Sequence, residues 1–187
     1  MAGDIMDVHP DSSGWVVRPG NEADLAEIVL LERETLTAPH WSAAEYSAVL
    51  KWSGDGGLRR CVYVAAQGRF LAGYAVGSAV GVGHEAEAEL ESVVVRDELR
   101  RQGLGSALCR AVMEWSRREG AAAIALEVRA ASAGAVKLYG GLGFVATGRR
   151  PRYYHDPADD AVVMHCALSG KRPSSVGADL YGDAVLF

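Results

Sequence analysis

A single mixed α/β domain is the fold class that this 187-residue sequence predicts. Three observations carry the prediction. The length suits one domain with a substantial core. Apolar residues make up 49% of the chain, an ordinary globular share. Short apolar or alternating runs are interleaved with runs of helical period, and near the middle one strand passes into a helix through a glycine turn.

The elements follow in chain order. Residues 1–14 hold three aspartates and no apolar run, so they read as a loose tail and not as a signal peptide. WVVRPG (15–20) is a short strand, and Asn21 then caps the amphipathic run EADLAEIVLLERETL. After Pro39, WSAAEYSAVLKW reads as a second helix, with Ser42 and Glu45 spaced as a capping box. CVYVAAQ (61–67) and FLAGYAVGSAVG (70–81) flank Gly68-Arg69 as a hairpin, and AELESVVV (88–95) is the next strand. GSALCRAVMEWSRREG is a helix that Gly120 stops. AIALEV (123–128) is a strand, SAGAVKLYGGLGF a short helix, and FVATGRR and DAVVMHCAL are two strands around the loop PRYYHDPAD. Residues 170–187 read as a second tail, which leaves 15–169 as the domain.

Charge and composition exclude several classes. A net charge of −5 does not present the broad basic field of a general nucleic-acid binder. AGYAVGSAVGVG (72–83) is too short and too glycine-rich to span a bilayer. Cys61, Cys109 and Cys166 lack CxxC spacing and read as buried thiols of a cytoplasmic protein. The five histidines are scattered without ligand spacing, so no metal site is expected.

The stretch RDELRRQGLGSAL (96–108) carries the first chemical signal. A glycine turn opening a helix leaves backbone N–H groups unpaired at the positive end of the helix dipole, which is an anion site. Gly103 and Gly105 lack side chains that would keep a phosphate off the backbone, and Arg100 and Arg101 add charge. The Walker pattern is absent, and GLGSAL lacks the third small residue of a dinucleotide fingerprint.

The pattern Arg100-x-x-Gly103-x-Gly105 after VVVRDELR resembles motif A of the GCN5-related N-acetyltransferase (GNAT) superfamily. LEVRAASAGAVKLYGGLGFVATGRRPRYYHDPADDAVVM is similar to the same region of the ribosomal-protein-alanine N-acetyltransferase (RimI) type, and PHWSAAEY (39–46) to its HPWS segment. The resemblance covers roughly residues 15–168 and implies a central, mostly antiparallel twisted sheet of about seven strands with four helices. It also implies acetyl-CoA as cosubstrate. The pyrophosphate would lie on Arg100, Arg101, Gln102, Gly103, Leu104, Gly105 and Ser106, and the acetyl and pantetheine groups on the backbone of Val93, Val94 and Val95. Trp41, Tyr153 and Tyr154 would border the acceptor groove, with Glu32 steering a cationic terminus from what is otherwise a solvated helix face.

Acetyl transfer to an amine needs a neutral nucleophile and a stabilised leaving thiol. Glu127 is the one charge within AIALEV, so it either forms an ion pair, for example with Arg129, or acts as a base. The resemblance implies the base, working through water, and implies that Tyr139, twelve positions on, is the proton donor to the coenzyme sulfur. An α-amine of pKa about 7.7–8.0 is roughly one tenth neutral at pH 7, and a lysine at about 10.4 only a few parts in ten thousand. A modest base therefore suits a protein N-terminus. The family's Ser-Asn pair is Ala131-Ser132 here, which puts serine where an asparagine contacts the coenzyme.

The expected activity is acetylation of the N-terminal α-amine of a protein, with small-subunit ribosomal protein number eighteen as the acceptor that the resemblance implies. The alternatives are a GNAT enzyme for lysine, polyamine or another small amine, and a coenzyme-binding module without turnover. No direct nucleic-acid or membrane partner is expected.

Overall fold

The computed structural model describes residues 14–35, 38, 41–51, 57–81 and 86–168. The tails expected at 1–14 and 170–187 lie outside these residues apart from Gly14. Strands β1 (Val16–Pro19), β2 (Leu58–Gln67), β3 (Phe70–Val80), β4 (Glu87–Val95), β5 (Ala123–Arg129), β6 (Val145–His155) and β7 (Ala158–Ala167) form one sheet of order β1-β2-β3-β4-β5-β7-β6. Four helices complete the fold: α1 (Leu25–Glu34), α2 (Ala43–Leu50), α3 (Leu104–Arg118) and α4 (Ala133–Gly141).

The sheet separates two apolar layers. On one face Ile28, Leu31, Tyr46 and Val49 of α1 and α2 pack on Val62, Val64, Val76 and Val94. On the other, Leu104, Leu108 and Val112 of α3 pack with Ile124, Leu126, Val128 and Phe144. β3 is buried along nearly its whole length, which accounts for its continuous apolar run. The predicted hairpin is present, with Gln67 opposite Phe70.

Local chemistry sets the helix ends. Ser42 accepts from the Glu45 amide at 3.3 Å and the Glu45 carboxylate accepts from Ser42 N at 2.6 Å, so the capping box is formed. Beyond Glu119, the Ala121 amide returns to Ser116 O at 3.0 Å and ends α3 at Gly120 as expected. Asn21 caps a 3-10 turn, Glu22–Asp24, and not the helix itself. Arg18 donates to both Asp24 oxygens at 2.7 Å, and the turn leads directly into α1.

Two strands outrun their sequence signals. β2 starts three residues early, at Leu58, because Leu58, Arg59 and Arg60 pair with Val80, Ala79 and Ser78 of β3; the two arginines also reach Glu119 (2.8 Å) and Glu91 (3.1 Å). PRYYH, expected as a loop, belongs to β6. The register slips there between Arg150 and Tyr154, and Arg152, at φ 51°, is fixed by its amide donating to Asp160 at 2.7 Å.

The feature that shapes the site is the join between β4 and β5. It is the sheet's one parallel contact, and the pairing stops after Ala88–Ile124 and Glu89–Ala125. Beyond it, Leu90–Val95 remains bonded to β3 while β5 runs with β7 through Arg129–Ala161. The edge of β4 facing the gap therefore presents backbone groups without a strand partner among the described residues.

Candidate active site

The glycine turn lies where β4 leads into α3. Gly103 is the N-cap residue at φ 85°, Arg101 is also left-handed at φ 65°, and no side chain caps the helix. The amides at the start of α3 are thus left for an outside acceptor. A Cβ on Gly103 would meet nothing within 4 Å, so this glycine answers a backbone requirement and faces open space. At Gly105 a Cβ would stand 3.0 Å from Leu138 Cδ1, the end of a flexible side chain on α4. Arg100 bonds Val95 O at 3.2 Å and forms an exposed pair with Asp97 at 2.6 Å. Arg101, Gln102 and Gly103 are exposed, Ser106 is half-buried, and Leu104 is buried in the core with only its backbone at the turn.

At the gap, Val93 and Val95 lean toward the α3 layer and Val94 toward the α1–α2 layer. Alternation on β5 buries Ile124, Leu126 and Val128 beneath α3, which turns Glu127 to the opposite face. Glu127 pairs with Arg150 at 3.1 Å, their side chains 19% and 45% exposed. The expected partner, Arg129, instead donates to the Pro157 and Asp156 carbonyls at 2.7 and 3.0 Å and covers the Tyr154 ring at 4.1 Å.

Tyr153 and Tyr154 meet Glu127 from β6. A hydrogen bond to the Glu127 carboxylate, with burial and the Glu127 charge, pushes the Tyr153 phenol up to about 12. Tyr154 donates weakly to Glu127 O at 3.4 Å, and its ring lies edge-on to Tyr153 at 5.1 Å. Tyr139, on α4, sits against Phe144 at 5.8 Å, and burial, then the neighbouring Cys109 and Tyr154, raise its phenol above the ordinary range. Ser132 takes the N-cap position of α4, but its side chain makes no capping bond.

The sequence reading passed over two other carboxylates on β4. Glu91 pairs with Arg60, whose guanidinium lies 5.5 Å from the Trp41 ring centre. Partial burial, then the charges of Glu91 and Glu127, raise the Glu89 carboxyl. Alternation of acids with apolar residues in AELE was the available signal. Trp41 and Arg60, with Glu45, Ala48, Val49 and Leu58, line a groove of about 270 Å³.

Glu32 corrects a sequence expectation. It is no solvated face: the residue is 1% exposed and lies beneath the segment that carries Trp41. Its Oε1 accepts from Trp41 N at 2.9 Å, and its Oε2 meets the hydroxyls of Tyr46 (2.8 Å) and Tyr74. With its oxygens so engaged, it cannot meet an acceptor directly.

A family model described as the acetyltransferase (GNAT) family matches residues 25–144, from the start of α1 to the end of the α4 turn. The chain belongs to the GNAT family. The [ribosomal protein bS18]-alanine N-acetyltransferase of Escherichia coli K12 is 39% identical over 85 residues, 44% of this chain and 57% of that protein. N-alpha-acetyltransferase RimI of Mycobacterium tuberculosis is 34% identical over 103 residues, 54% of this chain and 63% of its own. The chain thus spans less than two thirds of the length of either curated relative. The crystal structure of the E. coli ribosomal-protein-S18-alanine N-acetyltransferase superposes with TM-score 0.68 at 28% identity, over 89% of this chain and 99% of that one. The GNAT fold expected from the sequence is therefore the fold observed, with its seven strands and four helices. No helix among the described residues is long and apolar enough to cross a membrane.

Proposed function

We propose that this GNAT protein is an acetyl-CoA-dependent Nα-acetyltransferase acting on protein amino termini, with a ribosomal protein as one acceptor. The observation that carries the reading is the gap between β4 and β5, with Glu127 on its open face and Tyr139 on the helix behind it. The free amides from Gly103 to Ser106 fit a pyrophosphate, and the unpaired edge of Val93–Val95 fits an amide-bearing arm and a thioester carbonyl.

Each side chain then has a task. Glu89, Glu91 and Glu127 stand close enough to act on one another at the open face, which suits a cationic terminus in approach. Glu127 takes the proton of the attacking α-amine, directly or through one water. Its pair with Arg150 does not prevent this, since a partly exposed ion pair is worth only about 0–1 kcal/mol and yields readily to an incoming ammonium. The raised Tyr139 phenol is a poorer acid than free tyrosine, and a thiol lies near 8.5. Tyr139 therefore serves the leaving sulfur as a hydrogen-bond donor more than as the source of a fully transferred proton. Trp41, Tyr153 and Tyr154 wall the acceptor path, and the groove beside Trp41 gives a peptide room to continue. The three cysteines are free, in keeping with a reducing cytoplasm.

The test is mass spectrometry of a peptide beginning Ala-Arg-Tyr with an internal lysine, after incubation with the protein and acetyl-CoA. Acetyl on the α-amine alone is the expected result. Acetyl on lysine would transfer the assignment to a lysine acetyltransferase, and no acetyl with acetyl-CoA bound would overturn the peptide reading.

A further inference from the structure

Beneath Trp41, α1 places a carboxylate where a core position calls for an apolar residue. Glu32 lies between Ile28 and Leu31 on one side and the Tyr46 and Tyr74 rings on the other, all of them buried. Four groups converge there. The Trp41 amide donates to Oε1, the Tyr46 and Tyr74 hydroxyls meet Oε2 and lie 2.8 Å from each other, and Ser92 hydrogen-bonds to Tyr74. The two phenol rings stand edge to face at 5.6 Å, and Trp41 packs on Tyr46 at 5.4 Å.

This network joins three elements of the acceptor site. Trp41 precedes the Ser42 cap of α2, so its amide belongs to neither helix and its orientation is not set by helix hydrogen bonds. Tyr46 comes from α2 itself. Tyr74 and Ser92 lead through β3 to β4, where Ser92 directly precedes Val93. A leucine at position 32 would fill the space and leave the Trp41 amide and two hydroxyls without this acceptor. Burying a carboxylate adds little stability over an apolar residue, and its return is one fixed arrangement of the groups around it.

We propose that Glu32 is the positioning residue of the acceptor groove, holding the Trp41 segment in place by its bond to the Trp41 amide and tying it to β4 through Tyr46, Tyr74 and Ser92. The proposal rests on the reading of the chain as a peptide acetyltransferase. Glu32 acts through Trp41 and touches no reacting atom.

The experiment compares Glu32→Ala, Glu32→Gln and the wild-type chain. In Glu32→Ala the KM for the Ala-Arg-Tyr peptide should rise about tenfold, the scale of one charge-assisted hydrogen bond. The kcat at saturating peptide and the Kd for acetyl-CoA should stay within about twofold. Glu32→Gln keeps an oxygen for the Trp41 amide and should restore most of the peptide KM. An unmoved peptide KM, or a kcat and coenzyme Kd that worsen while KM stays put, would overturn the assignment. Should Glu32→Ala not fold, Tyr74→Phe removes one tie to β4 and keeps the ring, and a KM rise of about threefold is expected; no rise counts against the proposal. Hydrogen exchange at the Trp41 amide decides the matter independently of turnover. Exchange should be at least about tenfold faster in Glu32→Ala and near the wild-type rate in Glu32→Gln. Wild-type exchange in Glu32→Ala rejects the positioning role even if the acceptor proves not to be a peptide, whereas fast exchange without peptide acetylation rejects only the peptide reading.

Discussion

Glu32 and Glu127 invert what their sequence settings imply. Glu32 stands in a helix rich in charge, where a carboxylate reads as solvated, and it is 1% exposed with a tryptophan amide and two phenols on its oxygens. Glu127 stands alone in an apolar strand, where a carboxylate reads as buried, and its side chain remains 19% exposed beside an arginine that is 45% exposed. The first is fully engaged and cannot change partners without disturbing three elements. The second is held by a partly exposed arginine and a phenol. Which carboxylate keeps exchangeable partners is thus decided by the groups that reach it in the fold, and not by the hydrophobicity of its neighbours in sequence.

The contrast can be broken most directly at Glu127. Glu127→Gln should lower kcat by about 100-fold or more at pH 7, with the Kd for acetyl-CoA unchanged, and the deficit should shrink as pH rises and more α-amine arrives neutral. An unchanged kcat at pH 7 would remove Glu127 from the reaction and leave it a partner of Arg150. Next in size, Tyr139→Phe should slow turnover by about 10- to 100-fold. Burial raises the Tyr139 phenol, so its neutral donor form persists to higher pH than in free tyrosine. The wild-type pH–rate profile should accordingly show no falling limb from this group below about pH 10. A falling limb there that vanishes in Tyr139→Phe would contradict the assigned state of the phenol. The smallest effect is expected at Arg150. Arg150→Ala should change the unfolding free energy by less than about 1 kcal/mol and leave kcat within about threefold, because the pair is partly exposed. Chemical denaturation and steady-state rates check this. A loss as large as that of Glu127→Gln would mean that Arg150 holds the carboxylate in place, and the two glutamates would then be less different than they look.

Legibility followed the range of the interactions involved. The Ser42–Glu45 box, the Gly68-Arg69 hairpin and the stop at Gly120 were readable because each is settled within a few residues. The start of β2 was not, since it is set by pairing with Ser78–Val80 at the far end of β3. Nor was the strand character of PRYYH, where Asp160 on the facing strand secures the bulge at Arg152. Gly103 and Gly105 look alike in the sequence, yet one meets a left-handed backbone and the other the side chain of Leu138 on another helix.

By itself, then, the amino-acid order determined the succession of strands and helices, the turn at Gly103 and, through its resemblance to known acetyltransferases, the family. Periodicity, caps and turn residues act over one or two turns of chain, and motifs are read in one dimension. Only the tertiary structure decided that β4 and β5 part after two residue pairs, that Arg150 and Tyr153 are the partners of Glu127, and that Glu32 turns inward to Trp41. Those outcomes depend on which distant groups arrive at a side chain and on how much water they exclude, and neither quantity exists until the sheet and its two helical layers have closed around it.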